Sequence, residues 1–352
     1  MPITTPEELR THLELAIGVE LSTVPPYLYA MYSIEDQSSE AALLIRSVVA
    51  EEMLHAVLAA NLLLAVGGNP DFTSADLVPR YPSDLPHHKP TLTLNIKPAS
   101  EQQVKELFLV IEQPEVHAAP PEDDVYTSLG QFYHAIEKGL ARVADSHDVF
   151  ANPQTDRQMA DASYYRPVEY DAEDSGGLLL IDNIEAANDA IHIIVHQGEG
   201  VSDEKWADPL HQELTHYHKF LQIADGTAPL GKVVPALVNP RIDEFPPVAR
   251  DVAELFNAAY RYVYITMDEI FQANTNRDAL VGRLYKLMSN VLSPLAHHLM
   301  TLPVGEGYVA GPTFEVYDFG DSDPWDHLTA LAAHVAEEIP SLHPVAEAVA
   351  NL

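Results

Sequence analysis

Apolar residues at Leu9, Leu13, Ile17, Val24, Leu28 and Met31 recur at helical spacing, and Thr5-Pro6-Glu7-Glu8 opens that stripe as a capping box with proline in the first turn. Glu20 stands in the gap of the stripe, where a core residue is expected. Pro25-Pro26 removes two amide donors and predicts a kink or local unwinding one turn beyond Glu20. Asp36-Gln37-Ser38-Ser39 reads as a turn with a helix cap, and a second helix is expected over 40–66, stopped by Gly67-Gly68-Asn69-Pro70. On it, Ile45, Val48, Ala59 and Leu62 share a stripe with Glu52 and His55. Residues three apart lie on one helix face, so this carboxylate and imidazole point together into an apolar contact. Glu51, four residues before His55, is the alternative inward carboxylate; with Glu52 inward, Glu51 lies on the surface or supports the site from behind.

The region 71–175 differs: Pro, Asp and His are frequent. The alternation from Thr91 to Lys97 suggests a short strand without a clear partner, and helices are expected over 100–112 and 126–143, with an acidic loop at 118–124. A third long helix is expected from near Gly177, and a fourth over 210–223 carrying Glu213-Leu214-Thr215-His216. A Pro-rich linker follows Gly226, then helices over 249–272, 276–300 and 324–348. The organisation expected is an all-α fold: a four-helix bundle over 1–226 with a long crossover insertion at 71–175, and additional C-terminal helices over 227–352 packed on it.

The Glu-x-x-His spelling thus occurs twice, and each copy has a carboxylate level with it on a neighbouring segment. Glu20 and Glu52 are equidistant from Asp36; Glu199 and Glu213 are equidistant from Trp206. Glu199 also continues the stripe Ile184, Asn188, Ile191, Val195, with Glu185 and His192 as alternative donors on that helix. Two such motifs plus one further Glu from each of two helices form the donor set of a carboxylate-bridged dinuclear centre in a four-helix bundle. Tyr27 and Tyr217 read as core aromatics, and His192, His196, His87-His88 and His297-His298 as solvated or locally bonded.

Composition narrows the chemistry. With no cysteine there is no thiolate ligand or cysteine nucleophile, so a metal must be held by Glu, Asp and His, which suits iron, manganese or zinc. Six hard donors argue against a single tetrahedral structural zinc. A formal charge of −34 disfavours nucleic acid and anionic membrane as partners. No uninterrupted apolar run reaches the ~18 residues of a membrane span, and the N-terminus lacks a basic segment before an apolar core, so a cytoplasmic protein is expected.

The phrases Glu20-Leu21-Ser22-Thr23-Val24-Pro25-Pro26-Tyr27-Leu28, Glu51-Glu52-Met53-Leu54-His55, Phe132-Tyr133-His134-Ala135-Ile136, Gln197-Gly198-Glu199-Gly200, Glu213-Leu214-Thr215-His216-Tyr217 and Ala310-Gly311-Pro312-Thr313-Phe314-Glu315 resemble the ferritin-like domain family associated with iminophenyl-pyruvate dimer synthases of bis-indole pathways. The likeness runs from about residue 5 to 315. It implies a ferritin-like bundle with metal ligands Glu20, Glu52, His55, Glu199, Glu213 and His216. The expected activity is that of a dinuclear non-haem metal oxidoreductase, with two iron ions as cofactor and manganese or zinc as alternatives. Dioxygen or peroxide is the expected co-substrate, and the organic substrate a small molecule derived from an aromatic amino acid in secondary metabolism. A homodimer is the expected assembly. The competing class is a ferritin-like iron-binding or storage protein with no organic substrate.

Overall fold

The computed structural model describes residues 2–74, 77, 79–114, 126–166, 176–198, 214–273 and 275–352. Helix α1 (Pro6–Ser33) starts at the capping box: the Thr5 side chain accepts from the Glu8 amide, and the Glu8 carboxylate accepts from the Thr5 amide. Helix α2 (Glu40–Ala65) starts at Ser39, whose hydroxyl accepts from the Ala42 amide. The turn between them is closed by Asp36, which accepts from both the amide and the hydroxyl of Ser38. These two helices form the most extensive pairing among the described elements. By length and composition α2 could cross a bilayer, but most of its apolar stretch is buried inside the fold, as befits a central core helix.

The two prolines do not break α1. Helical geometry continues through Pro25 and Pro26 to Ser33. Pro26 leaves the Ser22 carbonyl without its usual amide partner, and the phenol of Tyr81 donates to that oxygen at 2.7 Å. A distant side chain thus replaces the missing donor. Tyr81→Phe is therefore expected to cost about 1–2 kcal/mol by stranding a buried carbonyl. Denaturant unfolding of the two proteins checks it; equal midpoints would show that water or a neighbour compensates.

The crossover is only partly helical. Ser83–Asp84 pairs antiparallel with Thr93–Leu94, supplying the strand partner the sequence did not reveal. Helix α3 follows Ser100 as three consecutive pieces: Glu101–Gln103, a wider π-helical turn Val104–Phe108, and Leu109–Ile111. Helix α4 (Leu129–Ala144) is capped by Ser128 and packs on α1 and on α5 (Ile184–Gly198). The acidic loop expected at 118–124 lies outside the described residues.

Helix α5 begins seven residues later than the expectation near Gly177. Both backbone groups of Ile181 are taken by the Gln158 side chain, at 2.8 and 2.7 Å, which holds that stretch extended. Asn183 then accepts from the Ala186 amide and starts the helix. Helix α6 (His216–Ala224) also starts late, because Thr215 is its cap, with extended backbone and a hydroxyl accepting from the His218 amide. Leu214 and Thr215 precede the helix, and Glu213 lies outside the described residues.

The chain after residue 226 adds α7 (Pro247–Gln272) and α8, which runs Arg277–Lys286, then a π-helical turn Leu287–Leu292, then Ser293–Leu299. The single last helix expected over 324–348 is two, α9 (Pro324–Glu338) and α10 (His343–Ala350). Pro340 cannot donate within a helix, and a 3₁₀ turn at Pro340–Leu342 separates them. Ser293–Leu299 packs on α1, and one apolar cluster runs from Ile3 to Val349.

Candidate metal centre

Three carboxylates and two imidazoles meet between α1, α2, α3 and α6. Glu20 comes from α1, Glu52 and His55 from α2, Glu112 from the end of α3, and His216 from the first residue of α6. All five are at most 2% exposed. Glu52, His55 and His216 each offer a donor atom within 4.8 Å of the others.

The arrangement is mirrored. Glu20 Oε2 lies 3.5 Å from His55 Nδ1, and Glu112 Oε2 lies 3.3 Å from His216 Nδ1. The outer oxygen of each carboxylate is held by a phenol: Tyr133 donates to Glu20 Oε1, and Tyr27 donates to Glu112 Oε1 at 2.5 Å. Glu52 sits between the halves. Its Oε1 is 2.9 Å from His216 Nδ1, and its Oε2 is 2.7 Å from the Thr23 hydroxyl, which also lies 2.7 Å from the Glu20 carbonyl oxygen. The imidazoles are near-parallel, with ring centres 5.3 Å apart.

Each imidazole is oriented from behind, as metal-bound histidines require. His55 Nε2 donates to Gln197 Oε1 at 2.9 Å, and His216 Nε2 donates to Glu51 Oε2 at 2.8 Å. Glu51 is buried rather than on the surface, and it is fixed in turn by Lys219, whose ammonium lies 2.6 Å from both carboxylate oxygens. Ser47 donates to Glu51 at 2.9 Å and accepts from Lys219 at 2.8 Å.

His216 Nδ1 is buried and has no well-directed hydrogen-bond partner among the described residues, although two carboxylate oxygens lie within 3.3 Å of it. With Nε2 committed to Glu51, Nδ1 is the position facing Glu52 and Glu112, where either a proton or, once the ring is neutral, a cation would sit. A cation is the group that such a nitrogen, ringed by carboxylate oxygens, can accept. The donor set therefore fits a metal.

Electrostatics agree. Burial, then the Glu112 and Glu20 carboxylates, push the Glu52 pKa up to about 8. Burial opposes ionising His216, but Glu112, Glu51 and Glu52 overcome it and raise its pKa well above the usual imidazole value. His55 is raised in the same way, chiefly by Glu20 against the effect of burial. Glu51 is held down at about 2: burial works against ionisation, and the Lys219 ammonium outweighs it. Glu20 is likewise lowered, by His55 against burial.

These shifts set a pH dependence for the metal-free protein. Glu52, raised from 4.5 to about 8, contributes stability that is complete below pH 4.5 and lost by about pH 8. Both histidines act in the same direction as pH rises through their raised values. Glu20 and Glu51 act oppositely, with stability present above 4.5 and lost as pH falls through their lowered values. Between about pH 5 and 8 the metal-free protein should lose stability as pH rises, while metal uptake, which displaces the same protons, should strengthen. Unfolding midpoints with chelator and with added divalent metal should therefore diverge with rising pH. A pH-independent gap would show that these groups do not bind the ion.

Of the residues singled out in the sequence, Glu20, Glu52, His55 and His216 converge here; Glu199 and Glu213 lie outside the described residues. The alternative donors Glu185 and His192 are exposed, as is Asn188, so the buried face of α5 passes instead through Ile191, Ile194 and Gln197. Tyr27 is core, as expected, but also bonds a site carboxylate. Glu112 was not foreseen. Its signal was present: Val104, Phe108 and Glu112 step by four, a carboxylate ending an apolar stripe just as Glu20 interrupts one.

A family model described as Ferritin-like matches residues 13–225. The chain belongs to the Ferritin-like family. The match contains Glu20, Glu52, His55, Glu112 and His216, so the candidate centre lies within this ferritin-like region. The ferritin-like fold is shared with a crystal structure of a ferritin like protein from Caulobacter vibrioides, at 24% identity and a TM-score of 0.63, over 88% of this chain and 99% of that one. Two curated relatives are each 26% identical. One is a dichlorochromopyrrolate synthase from Lentzea aerocolonigenes, matching 90% of this chain and 36% of its own length. The other is a 2-imino-3-(indol-3-yl)propanoate dimerase from Chromobacterium violaceum, matching 88% of this chain and 34% of its own length. The chain thus spans about a third of the length of these relatives.

Proposed function

We propose that this ferritin-like protein is an oxidative enzyme with a dinuclear metal centre, iron being the expected ion, acting on a small aromatic-amino-acid-derived molecule in secondary metabolism. The observation that carries it is the mirrored donor set, with one carboxylate and one imidazole on each side of Glu52 and His216 Nδ1 facing two of the carboxylates. In this reading Glu20 and His55 hold one ion, Glu112 and His216 the other, and Glu52 lies between them. Glu199 and Glu213 are proposed as further donors. The names of the two curated relatives support an imino-acid or indole-derived substrate.

When bound, a redox-active metal pair supplies the capacity to take electrons from an organic substrate in the presence of dioxygen or peroxide. The protein's own groups prepare for this. Tyr27 and Tyr133, whose phenols burial and the adjacent carboxylates keep protonated, pin the outer oxygens of Glu112 and Glu20 and leave the inner ones facing the imidazoles. Gln197 and Glu51 fix both ring orientations. Burial excludes water, so charge interactions at the centre are strong.

Metal content measured with an optical spectrum, before and after peroxide or reductant plus dioxygen, tests the reading. About two redox-active ions per chain and an oxidation-dependent spectral change are expected. A metal-free protein that takes up no iron, or one holding a single redox-inert ion, would overturn it.

A further inference from the structure

Away from the metal donors, the segment after residue 310 and one face of α7 enclose a cleft of about 900 Å³. It shares no lining residue with the small cavity at Glu20, Glu52 and His55. In a chain with 53 acidic and only 19 basic residues, three arginines meet there: Arg80, Arg241 and Arg261. Arg241 is neutralised by Glu315, with Nε 3.0 Å from the carboxylate. Arg261 donates through Nη2 to the Thr73 carbonyl, but its Nη1 is buried and has no partner among the described residues. Arg80 is exposed. Of the acids in the wall, Glu315 is committed to Arg241, and Asp318 accepts from the amide of Gly320 in its own turn. Tyr81 and Tyr317 add half-buried aromatic faces.

Thr313, Phe314 and Glu315 of the Gly311-Pro312-Thr313-Phe314-Glu315 motif line this cleft, a motif for which the metal centre has no use. Phe314 is buried with φ of 49°, a left-handed conformation that a non-glycine residue holds only when its surroundings impose it. Asn257 on α7 imposes it, accepting from the Glu315 amide at 3.1 Å and exchanging hydrogen bonds with Thr313 at 2.7 and 3.0 Å. A side chain at Gly311 would collide with Tyr29. The loop is therefore fixed in one shape, with Glu315 presented to Arg241. Strain maintained beside a guanidinium cluster is characteristic of a ligand clamp.

We propose that this cleft is a second small-molecule site that takes an aromatic carboxylate, its acid group on Arg80 and Arg261 and its ring against Tyr81 and Tyr317. Guanidinium forks match carboxylate geometry and stack on planar rings, and the volume suits a ligand of that size. The proposal stands on the cleft alone and does not depend on which metal the bundle holds.

Indole-3-propionate titrated into the full chain by calorimetry tests it, beside indole-3-propanamide and inorganic phosphate. The acid should bind at about one per chain and at least roughly tenfold tighter than either comparator, because only it offers both the charge and the ring. Arg80→Gln should weaken it about tenfold, the loss of a charge-assisted hydrogen bond. Arg261→Lys, which keeps a donor for Thr73 but loses the fork, should also weaken it. Unchanged unfolding midpoints would show that both variants remain folded. Glu52→Gln should bind the acid unchanged. Equal binding of acid and amide would overturn the proposal, as would phosphate binding as tightly as the acid. Absence of binding, or binding lost in Glu52→Gln but intact in Arg80→Gln, would equally overturn it.

Discussion

Glu52→Gln should leave the protein unable to hold metal, yet more stable than the metal-free parent. Glutamine keeps the shape and an oxygen for the Thr23 hydroxyl, 2.7 Å away in the parent. It removes the one carboxylate that faces both halves of the centre. In the absence of metal, Glu52 must either carry a proton against its usual pKa or sit as a buried third negative charge beside Glu20 and Glu112; burial first, then those carboxylates, raise its pKa to about 8. Glutamine avoids that choice, a gain of about 2–3 kcal/mol near neutral pH. Metal analysis and denaturant unfolding in chelator check the two halves. A variant that retained two ions would remove Glu52 from the centre, and one that lost stability would show that its charge is already compensated. Sites that sacrifice stability for chemistry behave in the expected way.

Glu51→Ala should have the opposite character. Lys219 is wholly buried, and its ammonium lies 2.6 Å from both Glu51 oxygens. Removing Glu51 deprives that ammonium of its counter-charge and frees the His216 ring at Nε2. Breaking one member of a buried ion pair typically costs about 3–5 kcal/mol, because the remaining charge has no solvent. The double change Glu51→Gln with Lys219→Met should recover most of that loss, since the buried ammonium and its counter-charge are then both gone. Its metal affinity should still fall by roughly 10–100-fold, as for other lost partners of metal-bound histidines. Unfolding midpoints for the single and double variants, with metal titrations on the double, separate the two effects. A double variant as unstable as the single would mean that the loss comes from packing and not from charge.

The legible parts of this protein were those whose causes are local. The Thr5 and Ser39 caps, the apolar stripes of α1 and α2 and the carboxylate within each stripe all lie within a few residues of one another. The structure brings Glu20, Glu52 and His55 together accordingly. What escaped depended on partners distant in sequence. Pro25-Pro26 read as a break because the phenol that replaces the missing donor belongs to Tyr81. The start of α5 was misplaced because Gln158, not the local pattern, holds Ile181 extended. Thr215 read as helix interior in a repeated four-letter spelling, whereas a threonine before a histidine-rich helix is also a good cap. Glu112 ends an apolar stripe as Glu20 interrupts one, but it belongs to no Glu-x-x-His spelling and lies in the crossover, far in sequence from both motifs.

The wide turn Val104–Phe108 carries one consequence for how such a centre can change over time. A π-helical turn holds one more residue than the regular helix would, and each residue turns a helix by about 100°. Deleting a single codon there, that of the exposed Lys105 for instance, would return the coil to a regular α-helical turn with Glu112 at nearly the same bearing, because the extra residue is taken up within one full turn. The wide turn thus lets this helix carry an added residue without turning Glu112 away from the centre.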